Sequence, residues 1–370
     1  MYKEIISPLL DRLDSETWQV RAKEALHLAE VTPLTLKLLE QFAYHRRRFS
    51  DDRLSVVLGG VEFDNPVMVG AGWDKAGRAV KGLYTLGFSG IEVGSVLQYP
   101  QPGNDKPRQF ILGPGVALNR LGLNSPGMEV VANNLRRYRN SGIPIGINLG
   151  KNKEVEPKYA PDAYAAVARR LYNEAAYFVI NVSSPNTPGL RALQDKEPLT
   201  DITQAVNDAM DGMGVRKPLF VKIAPDLGDK PLNDVIKVVA DNGLTGIIAT
   251  NTTTRGDLKA KYGERWRLEA GGLSGDNEEF RRMATEKISH IFRETGGSME
   301  IIGVGGVKDA QTALEKIRAG ARVVQVVTAI RGEGTTLPGR INRGLVAYLE
   351  KEGICNINEI VGSDHPNRIV

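Results

Sequence analysis

The sequence predicts an α/β fold: a (β/α)8 TIM barrel preceded by an N-terminal helical extension and a short β-hairpin. Three observations carry this. Eight short apolar runs recur in order, "PVMVGAG", "GIEVGS", "PIGINLG", "YFVINVSS", "LFVKIAP", "GIIATNT", "IIGVGG" and "VVQVVT". Between them lie segments of helical periodicity, among them Ala76 to Leu86, Ala163 to Ala175, Val235 to Asn242 and Asp309 to Ala319. No GxGxxG motif follows the first run, which argues against an open doubly wound sheet.

Residues 1–49 form the helical extension in this reading, and residues 50–370 the catalytic barrel. Tyr2, Ile5, Ile6, Leu9, Leu10 and Leu13 recur at helical spacing. A cap at Ser15 opens a second amphipathic run through Trp18, Ala22, Ala25, Leu26 and Ala29. Pro33 starts a third, which ends in His45, Arg46, Arg47 and Arg48. Short helices need burial, so these apolar faces either pack on the barrel or rest on a membrane with the arginines near anionic headgroups. In "LSVVLGGVEF", Gly59-Gly60 between apolar runs reads as a hairpin turn.

Composition narrows the function. With 370 residues, 41% of them hydrophobic, the chain can bury a large core, and a formal charge of +4 is too diffuse for a dedicated nucleic-acid binder. Cys355 stands alone, which excludes an intramolecular disulfide or a cysteine-based zinc site and points to a reducing compartment. The four histidines lack metal-ligand spacing and read as solvated surface residues. Neither a secretory signal nor a transmembrane run is evident.

Chemistry in such barrels gathers at the carboxyl ends of the strands. Those tips carry Gly72, Asp74 and Lys75, then Ser95, Asn148 and Lys151, then Asn181, Ser183, Ser184 and Asn186, and finally Lys222, Thr250, Asn251, Thr252 and Thr328. Amides, hydroxyls and lysines dominate, which suits a planar ligand rich in donors and acceptors together with an anion, and disfavours metal hydrolysis. "GVGG" at the seventh tip and "VVTAIRG" at the eighth offer the small residues and helix start of a phosphate site. Two stretches, Pro185 to Pro198 and Thr253 to Asp276, read as long unstructured loops over the active face, the first a lid beginning at Ser184.

The segments "GAGWDKAG", "GSVLQYPQPGNDKPR", "NRLGLNS", "GINLGKNK", "NVSSPNTPGLR", "VKIAPD", "ATNTT", "GGLSG" and "EKIRAGA" together resemble the class 2, membrane-associated dihydroorotate dehydrogenases. The resemblance implies oxidation of dihydroorotate to orotate in pyrimidine synthesis, with flavin mononucleotide (FMN) as hydride acceptor and a quinone as second substrate. It implies Ser184 as the base that removes the C5 proton. Substrate contacts carry over to Lys75, Asn119, Arg120, Leu121, Gly122 and Leu123, and to Asn181, Asn186, Asn251 and Thr252. FMN contacts carry over to Ala71, Gly72, Trp73, Asp74, Ser95 and Asn148, and to Asn181, Lys222 and Thr250. Gly275, Gly305, Gly306, Val327 and Thr328 complete that set, with no metal. A peripheral monomer on the cytoplasmic side of the cell membrane is implied as well.

The chain departs from the family pattern at five positions. Ile111 stands where an arginine usually meets the quinone, Trp18 near the place of a histidine, and Val327 where a tyrosine is frequent. Leu121 and Leu123 replace residues that are commonly larger or aromatic. These changes predict a more apolar quinone tunnel, or else a different acceptor. A class 1-like dihydropyrimidine oxidase with a non-quinone acceptor is the alternative enzyme, and Ser184 with the extension speaks against it. A catalytically silent flavin-binding barrel is the alternative outside enzymes, and the intact set of Ser184, Lys75, Lys222 and asparagines speaks against that.

Overall fold

The computed structural model describes residues 14–44 and 48–366. Helix α1 spans Ser15–Ala29. Its cap is Asp14 rather than Ser15: the carboxylate accepts the Thr17 N–H at 2.8 Å, while the Ser15 hydroxyl accepts the Gln109 amide at 2.8 Å. Helix α2, Pro33–Tyr44, opens on the expected proline, whose fixed φ suits a first turn. The run from Tyr2 to Leu13 and residues His45, Arg46 and Arg47 lie outside the described residues.

The two helices pack on the barrel, as one of the two readings expected, but bury only part of their apolar surface. Leu26, Ala43 and Tyr44 join the main core, and the Tyr44 hydroxyl donates to the Leu86 carbonyl. Leu28, Val31, Leu34, Leu38 and Phe42 point outward, 55% to 69% exposed.

The hairpin forms from β1 (Val56–Leu58) and β2 (Val61–Phe63), paired antiparallel. Gly59 and Gly60 carry φ of 57° and 81°, the two left-handed positions that a tight hairpin turn demands. In chain order there follow β3 (Val67–Val69), β4 (Ile91–Val96), β5 (Gln109–Gly113) and β6 (Val116–Asn119). Next are β7 (Ile145–Leu149), β8 (Tyr177–Asn181), β9 (Leu219–Ile223) and β10 (Gly246–Ala249). β11 (Gly272–Gly275), β12 (Glu300–Val304) and β13 (Val323–Val326) complete the strands.

β3, β4, β7, β8, β9, β10, β12 and β13 pair in parallel in that order, and β13 closes on β3 with Val326 opposite Val69. These are the eight apolar runs, and parallel strands buried on both faces read as nearly continuous apolar stretches. The barrel centre is not wholly apolar. Tyr177 packs edge-on against Phe220 with ring centroids 5.6 Å apart, and Glu92, Asn148 and Gln325 are buried beside them.

Helix boundaries shift from their sequence expectations for local reasons. The helix expected from Ala76 starts at Val80, because the Asp74 carboxylate takes the Ala79 N–H at 2.7 Å and holds the preceding residues in a turn. The helix expected from Ala163 begins at Ala160 and ends at Leu171, and the one expected from Val235 begins at Asp229. Asp309 caps the helix Ala310–Arg318 in a reciprocal box with Thr312.

Both stretches read as unstructured loops are structured. The first holds a 3-10 turn, Leu190–Gln194, and the helix Lys196–Asp211. The second holds a helical turn, Gly256–Ala260, and strand β11, which pairs antiparallel with β6. With β5 it makes a three-stranded roof over one side of the barrel mouth. His290 also departs from expectation: it is buried, and its Nε2 lies 2.7 Å from the Asn233 side-chain oxygen.

Candidate active site

At the carboxyl ends of the barrel strands lies a cavity of about 1160 Å³. Its wall includes Lys75, Ser95, Asn119, Asn181, Ser184 and Asn186, with Lys222, Thr250, Asn251 and Thr252. Ala71, Gly72, Trp73, Leu121 and Leu123 line it too, as do Gly275, Gly305, Gly306, Val327 and Thr328. Segments far apart in sequence meet here because each follows a barrel strand or belongs to the roof.

The floor is a continuous polar network. The Asn148 amide nitrogen donates to Glu92 Oε1 at 2.8 Å, and the Lys222 ammonium stands 3.6 Å from the same oxygen. The Asn148 carbonyl faces upward and accepts from the Ser95 hydroxyl and from Asn181 Nδ2, the latter at 3.1 Å. Asn181 Oδ1 then accepts the Ser183 hydroxyl at 3.0 Å, and Ser183 Oγ accepts Asn251 Nδ2 at 3.0 Å.

On the opposite side the Lys75 ammonium donates to Asn124 Oδ1. Burial pulls this lysine down to about 7, with the nearby Lys23 and Arg108 charges adding to the effect. Asn186 Nδ2 donates to Asn119 Oδ1 at 3.2 Å. Ser184 is buried, and its oxygen accepts the Asn186 N–H at 3.3 Å. Leu123 holds φ at 51°, the only positive value at a non-glycine among the described residues, with the Gln101 amide clamping its carbonyl at 3.2 Å.

Four of the sequence-predicted residues stay off the cavity wall. Arg120 turns away to pair with Glu269 and to donate to the Pro107 carbonyl at 3.0 Å. Gly122 makes a tight turn in which an added Cβ would lie 2.6 Å from the Asn104 side chain. Asp74 serves its own helix start, and Asn148 lies beneath Ser95 as part of the floor. Several wall residues were missed, three of them side-chain amides. Asn124 sits inside the quoted "NRLGLNS", and Gln325 is a lone amide in an apolar strand, so both left a signal. Gln19, whose amide donates to the Gly72 and Trp73 carbonyls at 3.0 and 2.8 Å, left none.

The wall suits a flavin phosphate ester beside a smaller flat ligand. Its volume exceeds the need of a pyrimidine alone, and the Thr252 hydroxyl and Asn186 Oδ1 are buried with no hydrogen-bond partner among the described residues. A Cβ at Gly275 would lie 2.0 Å from the Gly115 carbonyl, and φ there is 94°, so the roof passes as bare backbone. Gly305 and Gly306, at φ of 120° and 77°, leave another bare stretch just before the capped helix Ala310–Arg318. Lys308 stands there, 2.5 Å from Asp276.

A second arm of the same cavity runs towards α1 between Trp18, Ile111, Leu112 and Val327, so three of the departures share one surface. The Arg331 guanidinium lies 5.8 Å from the Trp18 ring centroid and also faces this arm.

Comparison with known proteins agrees with this architecture. Residues 53–349 match the family model described as dihydroorotate dehydrogenase. A dihydroorotate dehydrogenase (quinone) of Anaeromyxobacter dehalogenans is 41% identical over 360 residues, covering 96% of this chain and 95% of that protein. One of Halobacterium salinarum, of the same name, is 41% identical over 341 residues, covering 90% and 95%. The crystal structure of the Eimeria tenella DHODH in complex with ferulenol is similar with a TM-score of 0.81 at 33% identity, covering 91% of this chain and 96% of that one.

Proposed function

The chain belongs to the dihydroorotate dehydrogenase family, as a quinone-linked oxidoreductase that converts dihydroorotate to orotate in pyrimidine biosynthesis, and we propose that it does so with FMN in the cavity described above. When bound, FMN supplies the hydride acceptor and the route by which electrons reach the quinone. One observation carries the assignment of roles: the Ser184 hydroxyl, the Lys75 ammonium and four asparagines converge on one chamber whose floor holds Lys222.

Lys75 binds the orotate carboxylate. Asn119, Asn181, Asn186 and Asn251 match the alternating N–H and C=O groups of the ring, each of which would cost about 1–3 kcal/mol if buried unpaired. Ser184 takes the C5 proton; a serine hydroxyl is a weak base in water, and its burial limits the access of water. Lys222, on the chamber floor, would offer positive charge to the pyrimidine edge of a bound flavin. Gly275, Gly305, Gly306 and Thr328 leave room for the ribityl phosphate.

The quinone reaches the arm lined by Trp18, Ile111 and Val327, which is more apolar than the family pattern. Residues 1–49 are proposed as the extension, of which Trp18 lines this arm, and the outward row from Leu28 to Phe42 supports a peripheral place on a membrane, proposed to be the cytoplasmic face. No helix among the described residues is long and apolar enough to cross a membrane. The proposed state is a monomer. The test is anaerobic: dihydroorotate bleaches the yellow protein, and ubiquinone or menaquinone restores the colour. A colourless protein, or colour unmoved by dihydroorotate, refutes the reading.

A further inference from the structure

Glu92 is fully buried at the barrel centre, and the roles assigned above leave it unused. We propose that Glu92 is a positioning residue: it holds the Lys222 ammonium in place on the chamber floor and sets the donor–acceptor direction of the chain from Asn148 through Asn181 and Ser183 to Asn251. The inference rests on the FMN reading and deepens it.

The chemistry of the group gives the direction. A carboxylate only accepts hydrogen bonds, whereas an amide side chain presents a donor at one end and an acceptor at the other. Glu92 Oε1 receives Asn148 Nδ2 at 2.8 Å, and Oε2 receives the Gln325 amide nitrogen. Asn148 therefore has one orientation, with its nitrogen down and its carbonyl up. That carbonyl draws a donor from Asn181, so Asn181 turns its own oxygen to the Ser183 hydroxyl, 3.0 Å away, an orientation that the Ser183 N–H supports at 3.3 Å. The Ser183 oxygen is left to accept from Asn251 at 3.0 Å. Polarity thus runs one way from the barrel centre to a substrate-binding amide. An uncharged amide in place of Glu92 permits either orientation of Asn148 and loses that bias.

Charge adds a second reason. Lys222 is 5% exposed, and a buried ammonium without a counter-charge is costly, whereas Glu92 stands 3.6 Å from it. The pair brings a cation close to the cofactor while leaving the floor nearly neutral.

The experiment uses the purified holoenzyme and three variants, Glu92→Gln, Lys222→Met and the double variant. The readouts are flavin content, flavin reduction potential and the orotate dissociation constant from the flavin difference spectrum. In Glu92→Gln the flavin is retained, the potential moves positive because the cation is unopposed, and orotate binds about tenfold more weakly, the worth of one good hydrogen bond. In the Lys222→Met background the same change moves the potential much less, because no ammonium is left for Glu92 to hold in place. Wild-type potential and orotate affinity in Glu92→Gln, or shifts that simply add in the double variant, overturn the proposal. If the Gln variant loses flavin, Glu92→Asp replaces it: the charge is kept, so the potential stays near wild type while orotate weakens, and the reverse pattern counts against Glu92. Wild-type protein that binds no FMN fails the underlying reading instead, and flavin content reports this first.

Discussion

Arg108 grips Glu16 with two parallel hydrogen bonds, Nε to Oε2 at 3.0 Å and a terminal nitrogen to Oε1 at 2.7 Å. The same guanidinium also donates to the Pro102 and Asn104 carbonyls at 2.6 and 2.8 Å, so it ties α1 to the loop leading into β5. The Arg108 hydrogen bonds hold the Glu16 carboxyl below its ordinary value of 4.5, against the opposing effect of burial. A depressed carboxyl stabilises the fold above its ordinary value and loses that contribution as pH falls through the folded one. Glu16→Ala is expected to cost about 1–3 kcal/mol, to speed proteolytic release of the extension, and to remove this acid sensitivity. Protease accessibility equal to wild type at both neutral and acid pH counts against the clamp.

Ser184→Ala is expected to keep its flavin and to slow anaerobic reduction by dihydroorotate by about 10²–10⁴, the usual worth of a positioned base. Rapid-mixing absorbance at the flavin band measures this. A loss smaller than about tenfold, or 1.4 kcal/mol, places the base elsewhere.

Lys75 gives orotate binding a pH dependence. Its free-state value of about 7 means that the ammonium is present below neutrality and is lost above it, so a carboxylate ligand must bring a proton with it at higher pH. The orotate dissociation constant is expected to be flat below about pH 7 and to rise by up to about tenfold per unit above it. Lys75→Met abolishes that slope and weakens binding at all pH values, and a wild-type constant that does not change between pH 6 and 9 contradicts the assignment.

Lys316 predicts an alkaline gain in stability. It is fully buried, donating to the Arg281 carbonyl at 2.8 Å and the Thr285 hydroxyl at 2.6 Å, and burial lowers it from 10.5 to about 7. Between those values the unfolded chain binds a proton that the folded one does not, so stability rises with pH across the interval. Denaturant unfolding at several pH values should show the rise in wild type and a smaller one in Lys316→Met. Equal slopes dismiss the idea.

The outward apolar row is tested by Leu34→Glu with Phe42→Glu. Co-sedimentation with anionic lipid vesicles should fall sharply, while anaerobic flavin reduction by dihydroorotate stays at the wild-type rate. Retained co-sedimentation removes this row from the proposed membrane contact.

Much of this was legible in the sequence, for identifiable reasons. Barrel strands buried on both faces had to be apolar runs, and the Gly59-Gly60 turn announced itself by residue type. β11, "GLSG", has a single apolar residue and no alternation, so only its pairing with β6 reveals it. Asp14 and Ser15 are both good caps one residue apart, and sequence could not choose between them. Arg120 belonged to a strong motif, yet its direction is set by Glu269, far away in the chain. Glu92 stood in plain view as the one charged residue of an apolar run, and only its neighbours from three other strands give it meaning.

The closure of the barrel has a consequence for synthesis. β3 pairs with β4 on one side, but its other edge is free until β13 emerges, almost at the end of the chain. A ribosome therefore releases most of this protein before any chamber exists, with an apolar strand edge still open to stray pairing. Premature termination yields no half-working enzyme, only a fragment that depends on chaperones to stay apart from its neighbours.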